Sequence, residues 1–201
     1  MSRLEGLNQV ELSPTVRKVE TELEDLEEIE LDRRILQRLG AARDIMDVGC
    51  GEGRLVNFLA RQTQKRVVGL DISDHGFAQA RREANQAGIP HLVECVEGDA
   101  QQMAAFKDGQ CEAFTLTFAL HHIEAPEVAL QEIHRVLRPG GKVLIGDWVV
   151  EEDQPRSECY RFTVAEVQGM LEAAGFHRIE VELIEPGLVL VIAEKEAETW
   201  P

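Results

Sequence analysis

The sequence predicts an α/β fold built on a largely parallel sheet with helices on both faces, and three observations carry that expectation. Short runs rich in Val, Ile and Leu recur at 43–48, 66–71, 91–97, 111–118 and 142–150, and apolar runs of that length suit strands buried on both sides. Amphipathic stretches lie between most of them, long enough for right-handed crossover helices. The first run ends in three alternating glycines, Gly49-Cys50-Gly51-Glu52-Gly53, where backbone without Cβ atoms can approach a ligand closely.

The chain begins with an acidic segment. Ser13-Pro14 suits a helix N-cap followed by proline in the first turn. Val16, Val19, Leu23 and Leu26 share one helical face, then Glu30 and Arg33 break the stripe and Leu31, Ile35 and Leu39 begin another. The slip predicts two helices or one kinked helix. Residues 1–40 are read as an acidic helical cap, either a fixed cover over an apolar edge or a mobile lid, and 41–196 as the ligand-binding domain.

Ile45-Met46-Asp47-Val48 runs into the glycines, and a helix over 53–63 follows. The first N–H groups of such a helix lack partners and can hold ribose hydroxyls or a carboxylate. About twenty residues on, Val67-Val68-Gly69-Leu70-Asp71 reads as a buried strand ending in a carboxylate, the place where such folds hold a ribose. The glycine spacing is not the G-x-G-x-x-G of dinucleotide sites. Asp47, just before the loop, would repel a pyrophosphate and suits a cationic or amino-bearing ligand.

Taken with Gly98-Asp99-Ala100, Ala119-Leu120-His121-His122-Ile123 and Arg138-Pro139-Gly140-Gly141 in that order, the Asp-x-Gly-x-Gly-x-Gly stretch resembles the class I S-adenosylmethionine-dependent methyltransferases. The likeness extends to small-molecule, ubiquinone/menaquinone methyltransferase-like members and runs from about Asp44 to Asp147. It implies a Rossmann-like, doubly wound seven-stranded sheet of order 3-2-1-4-5-7-6 with the last strand antiparallel. It also implies S-adenosylmethionine as cofactor, held by Asp47, Gly49, Cys50, Gly51, Gly53, Asp71, Ile72, Asp99, Ala100, Phe118 and Ala119. Asp99 would accept from the adenine amine, and Ala100 would leave room for the ring.

The remaining elements follow in order. A helix over 74–88 ends at Gly88 and Pro90. Cys111 to Phe118 is the central fourth strand, and its end delivers His121 and His122, each either a base or a shaper of the pocket. Pro126 to Leu137 is amphipathic, and the strand from Lys142 carries Asp147 near its end. A polar loop over 151–161 contains Tyr160, a candidate for substrate contact or for docking the next helix. Thr163 and Glu166 form a capping box for that helix, which Gly175 ends. Phe176 to Ile184 and Gly187 to Ala193 form a hairpin about Glu185-Pro186-Gly187.

Composition narrows the function. A chain of 201 residues with 37 acidic and 21 basic side chains, formal net charge −16, is a poor partner for nucleic acid or an anionic membrane. The strand end at 117–120 also lacks the Asp/Asn-Pro-Pro-Tyr/Phe clamp of methyltransferases acting on nucleobase amines. No apolar run approaches twenty residues and no export signal opens the chain, so a soluble cytoplasmic protein is expected. Cys50, Cys95, Cys111 and Cys159 form no C-x-x-C pair, and the histidines show no metal-ligand spacing.

The expectation is methyl transfer to a small-molecule acceptor, with His121, His122, Asp147 and Tyr160 as candidate catalytic groups. Two rivals remain: a cofactor-binding partner without catalysis, and a nicotinamide-dependent oxidoreductase.

Overall fold

The computed structural model describes residues 14–151 and 162–197, and of residues 14–25 and 27 the backbone only. Tyr160, Cys159 and most of the 151–161 loop lie outside the described residues. In chain order the elements are α1 (Pro14–Leu39), β1 (Ile45–Val48), α2 (Arg54–Thr63), β2 (Val67–Asp71), α3 (Phe77–Gln86), β3 (Val93–Glu97) and β4 (Cys111–Thr117). After a 3-10 turn at Leu120–His122 come α4 (Pro126–Val136), β5 (Leu137–Trp148), α5 (Val164–Ala173), β6 (Phe176–Glu185) and β7 (Leu188–Lys195).

The strands form one sheet of order β3-β2-β1-β4-β5-β7-β6. Pairs from β3 to β5 are parallel, and β7 is antiparallel to both of its neighbours. Period-two alternation divides the apolar side chains between two faces. Met46, Phe114, Leu116, Val143 and Ile145 meet α4 and α5 on one face. Ile45, Ala113 and Leu144 meet α1, α2 and α3 on the other.

Several boundaries differ from expectation. Of the two alternatives for the N-terminal segment, two helices or one kinked helix, the structure has a single helix. Its second apolar stripe, Leu31, Ile35 and Leu39, is buried in the core, whereas Leu26 and Ile29 are exposed. The C-terminal half of α1 is thus a layer of the fold. β5 begins at Leu137, five residues before Lys142, because Leu137 already pairs with Cys111 across a register shift. β4 ends at Thr117 because Phe118 turns left-handed at φ 53°. α3 starts only at Phe77, since Asp71 and Ser73 organise a turn before it.

Leu31 is seated on Gly146 of β5, where a Cβ would stand 2.7 Å from the leucine side chain. Leu31→Ala should therefore open a cavity between α1 and the sheet. The expected cost is about 2–5 kcal/mol, read as a lower urea midpoint with the slope unchanged.

Candidate functional site

The glycine turn places bare backbone at the carboxyl edge of the sheet. Gly49, Gly51 and Gly53 have φ of 73°, 49° and 78°, a region that L side chains rarely adopt. A Cβ on Gly49 would stand 2.5 Å from the Cβ of Ala119, and one on Gly53 would stand 2.4 Å from that of Ala80. The first glycine lets the loop lie against the end of β4, and the third lets α2 close on α3. Gly76 supports the same turn from behind, since its Cβ would lie 2.2 Å from the Gly51 carbonyl oxygen.

Asp71, at the end of β2, accepts the Gly51 N–H at 2.8 Å and the Ser73 N–H at 3.1 Å. One carboxylate thereby fixes the glycine loop and the following turn, and each of its oxygens keeps a lone pair for a ligand hydroxyl. Asp99 is held similarly, accepting the Gln101 N–H at 2.8 Å. The Gln101 side chain also donates to Asp99 and accepts the Ala125 N–H at 3.0 Å, joining the third strand's loop to the start of α4.

Between these groups lies a cleft of about 510 Å³, within the usual size of a small-molecule site. Gly49, Asp71, Ile72, Asp99, Ala100, Phe118, Ala119 and His122 all line it, and Gln101, Ile123 and Glu124 complete the wall. It sits at the β1/β4 switch point, where open α/β sheets bind ligands.

Other expected residues lie behind the cleft or beside it. Cys50 is buried with its Sγ against β2, where a Cβ on Gly69 would come within 2.7 Å of it. Burial beside Asp47 pushes its thiol well above the ordinary range, so this sulfur packs the turn and is not a nucleophile. Gly51 and Gly53 shape the loop without lining the cleft.

Asp47 lies beneath the loop, 2 % exposed, and accepts the Thr115 hydroxyl at 2.7 Å. Desolvation outweighs that hydrogen bond and the nearby Arg54, raising its pKa to about 7. Between the ordinary carboxylate value and about 7 the folded chain holds a proton that the unfolded chain has lost, so this group subtracts stability as pH rises. Asp47→Asn is expected to come close to the wild type only near pH 4 and below, and to exceed it at pH 8 by up to about 4 kcal/mol in urea unfolding.

Arg54, the first residue of α2, pairs with Glu28 and Asp32 of α1 and so joins the helix layer to the end of the glycine turn. Asp32 is buried with one oxygen unpartnered, and burial raises its pKa against the opposing pull of Arg54.

On the β5 side, His121 Nδ1 lies 2.8 and 2.9 Å from the two carboxylate oxygens of Asp147. Both side chains are nearly buried, 12 % and 6 % exposed. Asp147 also accepts the Trp148 N–H at 2.9 Å. The His121 and His122 rings are 4.0 Å apart. Phe118, just upstream, keeps its left-handed backbone with its N–H on the Gly146 carbonyl at 2.8 Å, a conformation costing about 1–3 kcal/mol. Among the described residues no cluster of His, Cys, Asp or Glu could hold a metal ion.

Sequence reasoning missed Gln101, Gly76, Glu124 and the Arg54 pairs. Gly76 and Gln101 act through contacts distant in the chain, and only the Asp-x-Gln spacing hinted at the turn that holds Asp99.

A family model described as a methyltransferase domain matches residues 46–145. A sterol 24-C-methyltransferase from Aspergillus fumigatus is 34% identical over 124 residues, 60% of this chain and 33% of the relative. An S-adenosyl-L-methionine-dependent Diels-Alderase from Talaromyces variabilis is 36% identical over 123 residues, 60% of this chain and 40% of the relative. The chain thus matches well under half the length of these relatives. The crystal structure of a SAM-dependent methyltransferase from Aquifex aeolicus superposes with a TM-score of 0.71 at 23% identity, covering 86% of this chain and 96% of the other.

Proposed function

This chain belongs to the class I S-adenosylmethionine-dependent methyltransferases, and from that premise we propose that it transfers the sulfonium methyl group to a small-molecule acceptor. The observation that carries the reading is the cleft itself, walled by Asp71 and Asp99 on one side and by the β4 end on the other.

The residues present fit the cofactor. Gly49 has no room for a Cβ and stands open to the cleft, Asp71 has lone pairs for ribose hydroxyls, and Ala100 beside Asp99 leaves space for a flat base. When bound, S-adenosylmethionine supplies a methyl carbon activated by its sulfonium, and the electron pair of the broken carbon–sulfur bond leaves with the neutral thioether. The chain's task is then to align an acceptor, and such positioning can supply about 7–11 kcal/mol of the barrier. The acceptor side falls to the ends of β4 and β5, because Asp71 and Asp99 occupy the β2 and β3 side.

A net charge of −16 disfavours polyanionic acceptors, and the sterol methyltransferase among the relatives supports a small apolar one. Calorimetry with S-adenosylhomocysteine tests the site: micromolar binding is expected, and its absence from folded protein would overturn the reading. A second reading, a cofactor-holding cyclase, is favoured by the Diels-Alderase relative. Transfer of labelled methyl to any acceptor decides for the first.

A further inference from the structure

The amide of Gln101 stands between two walls of the cleft that it helps to line. Its nitrogen donates to the two Asp99 oxygens at 3.1 and 3.3 Å, and its oxygen accepts the Ala125 N–H at 3.0 Å. The two ends cannot be exchanged, because a carboxylate only accepts and a backbone N–H only donates. Ala125 is the N-cap of α4 and gives that helix no side-chain cap. It directly follows Ile123 and Glu124, which line the cleft with His122. Further along, Glu132 accepts the Met103 N–H at 2.9 Å, and Arg135 donates to the Met103 and Phe106 carbonyls, each at 3.0 Å. The body of α4 is thus fastened to the segment after β3 without Gln101. What the amide adds is confined to the start of the helix, beside the cleft.

We propose that Gln101 is a positioning residue that makes the 122–125 wall of the cleft, on the acceptor side, answer to the cofactor. This rests on the methyl-transfer reading above, in which the base amine of the cofactor donates to Asp99. An added donor restricts the orientations of the carboxylate, and through it those of the Gln101 amide. With the amide held in one place its oxygen keeps the Ala125 N–H, and the turn before α4 settles against the cleft. Ordering one group in this way lowers the cost of ordering the next, with no change of fold. Such coupling is reciprocal, so loosening Ala125 weakens the hold on the cofactor as well. A carboxylate at position 101 would face Asp99 with like charge, and an apolar side chain would serve neither partner.

The test uses the full chain with S-adenosylhomocysteine and needs no methyl acceptor. In the wild type, saturating S-adenosylhomocysteine is expected to slow hydrogen exchange at the Ala125 amide by about fivefold or more. In Gln101→Met, which should melt within a few degrees of the wild type, that amide is expected to exchange fast with or without ligand. Gln101→Glu keeps an acceptor for Ala125 but opposes Asp99. Calorimetry is expected to show it binding S-adenosylhomocysteine about tenfold or more weakly than the wild type at pH 8. Much of that loss should return at pH 5, where a neutral glutamic acid donates to Asp99 as the amide does. Asp47, Asp71, His122 and Glu124 are common to both proteins, so the ratio of the two affinities at each pH isolates position 101. Gln102→Glu adds the same charge on an exposed neighbour and is expected to bind as the wild type at both pH values. A wild type that binds but leaves Ala125 exchange unchanged overturns the proposal alone. So does a glutamate variant whose ratio stays near one at pH 8 or is equally reduced at both pH values. Should that variant not fold, the exchange in Gln101→Met decides. A wild type that binds no S-adenosylhomocysteine instead removes the methyl-transfer reading, and the proposal with it.

Discussion

Asp71→Ala is expected to weaken S-adenosylhomocysteine binding at least about a hundredfold, or about 3 kcal/mol, while the melting temperature moves by only a few degrees. The carboxylate is partly exposed at the cleft and carries no core packing, so its removal leaves both faces of the sheet intact. Two things are lost together. The Gly51 N–H loses the acceptor that fixes the loop, and the ligand loses an ionised partner for its hydroxyls. Asp71→Asn separates them, because its amide oxygen can still accept the Gly51 N–H but the charge is gone. An intermediate affinity for the asparagine variant is expected by calorimetry. Wild-type affinity in the alanine variant would mean that the sugar is not held here.

Gly49→Ala should be more damaging than Gly51→Ala, although both glycines are left-handed. At Gly51 a Cβ meets nothing within 4 Å, so only the backbone conformation is penalised, by about 1–2 kcal/mol. At Gly49 the same penalty applies, and the new methyl would lie 2.5 Å from the Cβ of Ala119, adding about 1–3 kcal/mol of overpacking. Side-by-side urea titrations should place Gly49→Ala well below Gly51→Ala, with both weakened in S-adenosylhomocysteine binding. Equal stabilities would show that contact with Ala119 does not constrain the turn.

The parts of the site legible in the sequence are those whose chemistry is local. The strand–glycine–helix turn, the acid closing β2 and the Gly98-Asp99-Ala100 turn each announce themselves within a few consecutive residues, and the cleft brings them together. The sheet order followed from the resemblance and matches the observed one. What escaped depends on packing between distant segments. Nothing near Gly76 shows that its hydrogen faces the Gly51 carbonyl. Nothing near Arg54 shows that its partners come from α1. Phe118 is not a residue type that signals a left-handed backbone, so the apolar run alone extends β4 one residue too far. The place of Asp47 in the motif suggests a ligand contact, whereas its carboxylate lies under the loop and accepts from Thr115.

Gly146 joins two parts of the molecule that otherwise have separate roles. Its missing side chain is the keyway into which Leu31 slides, and the next residue along the same strand is the carboxylate that steadies His121. Any larger residue there would lift the helix and tilt the strand beneath Asp147 in one motion. A single absent methyl group therefore keeps the outer layer and the reactive edge in register.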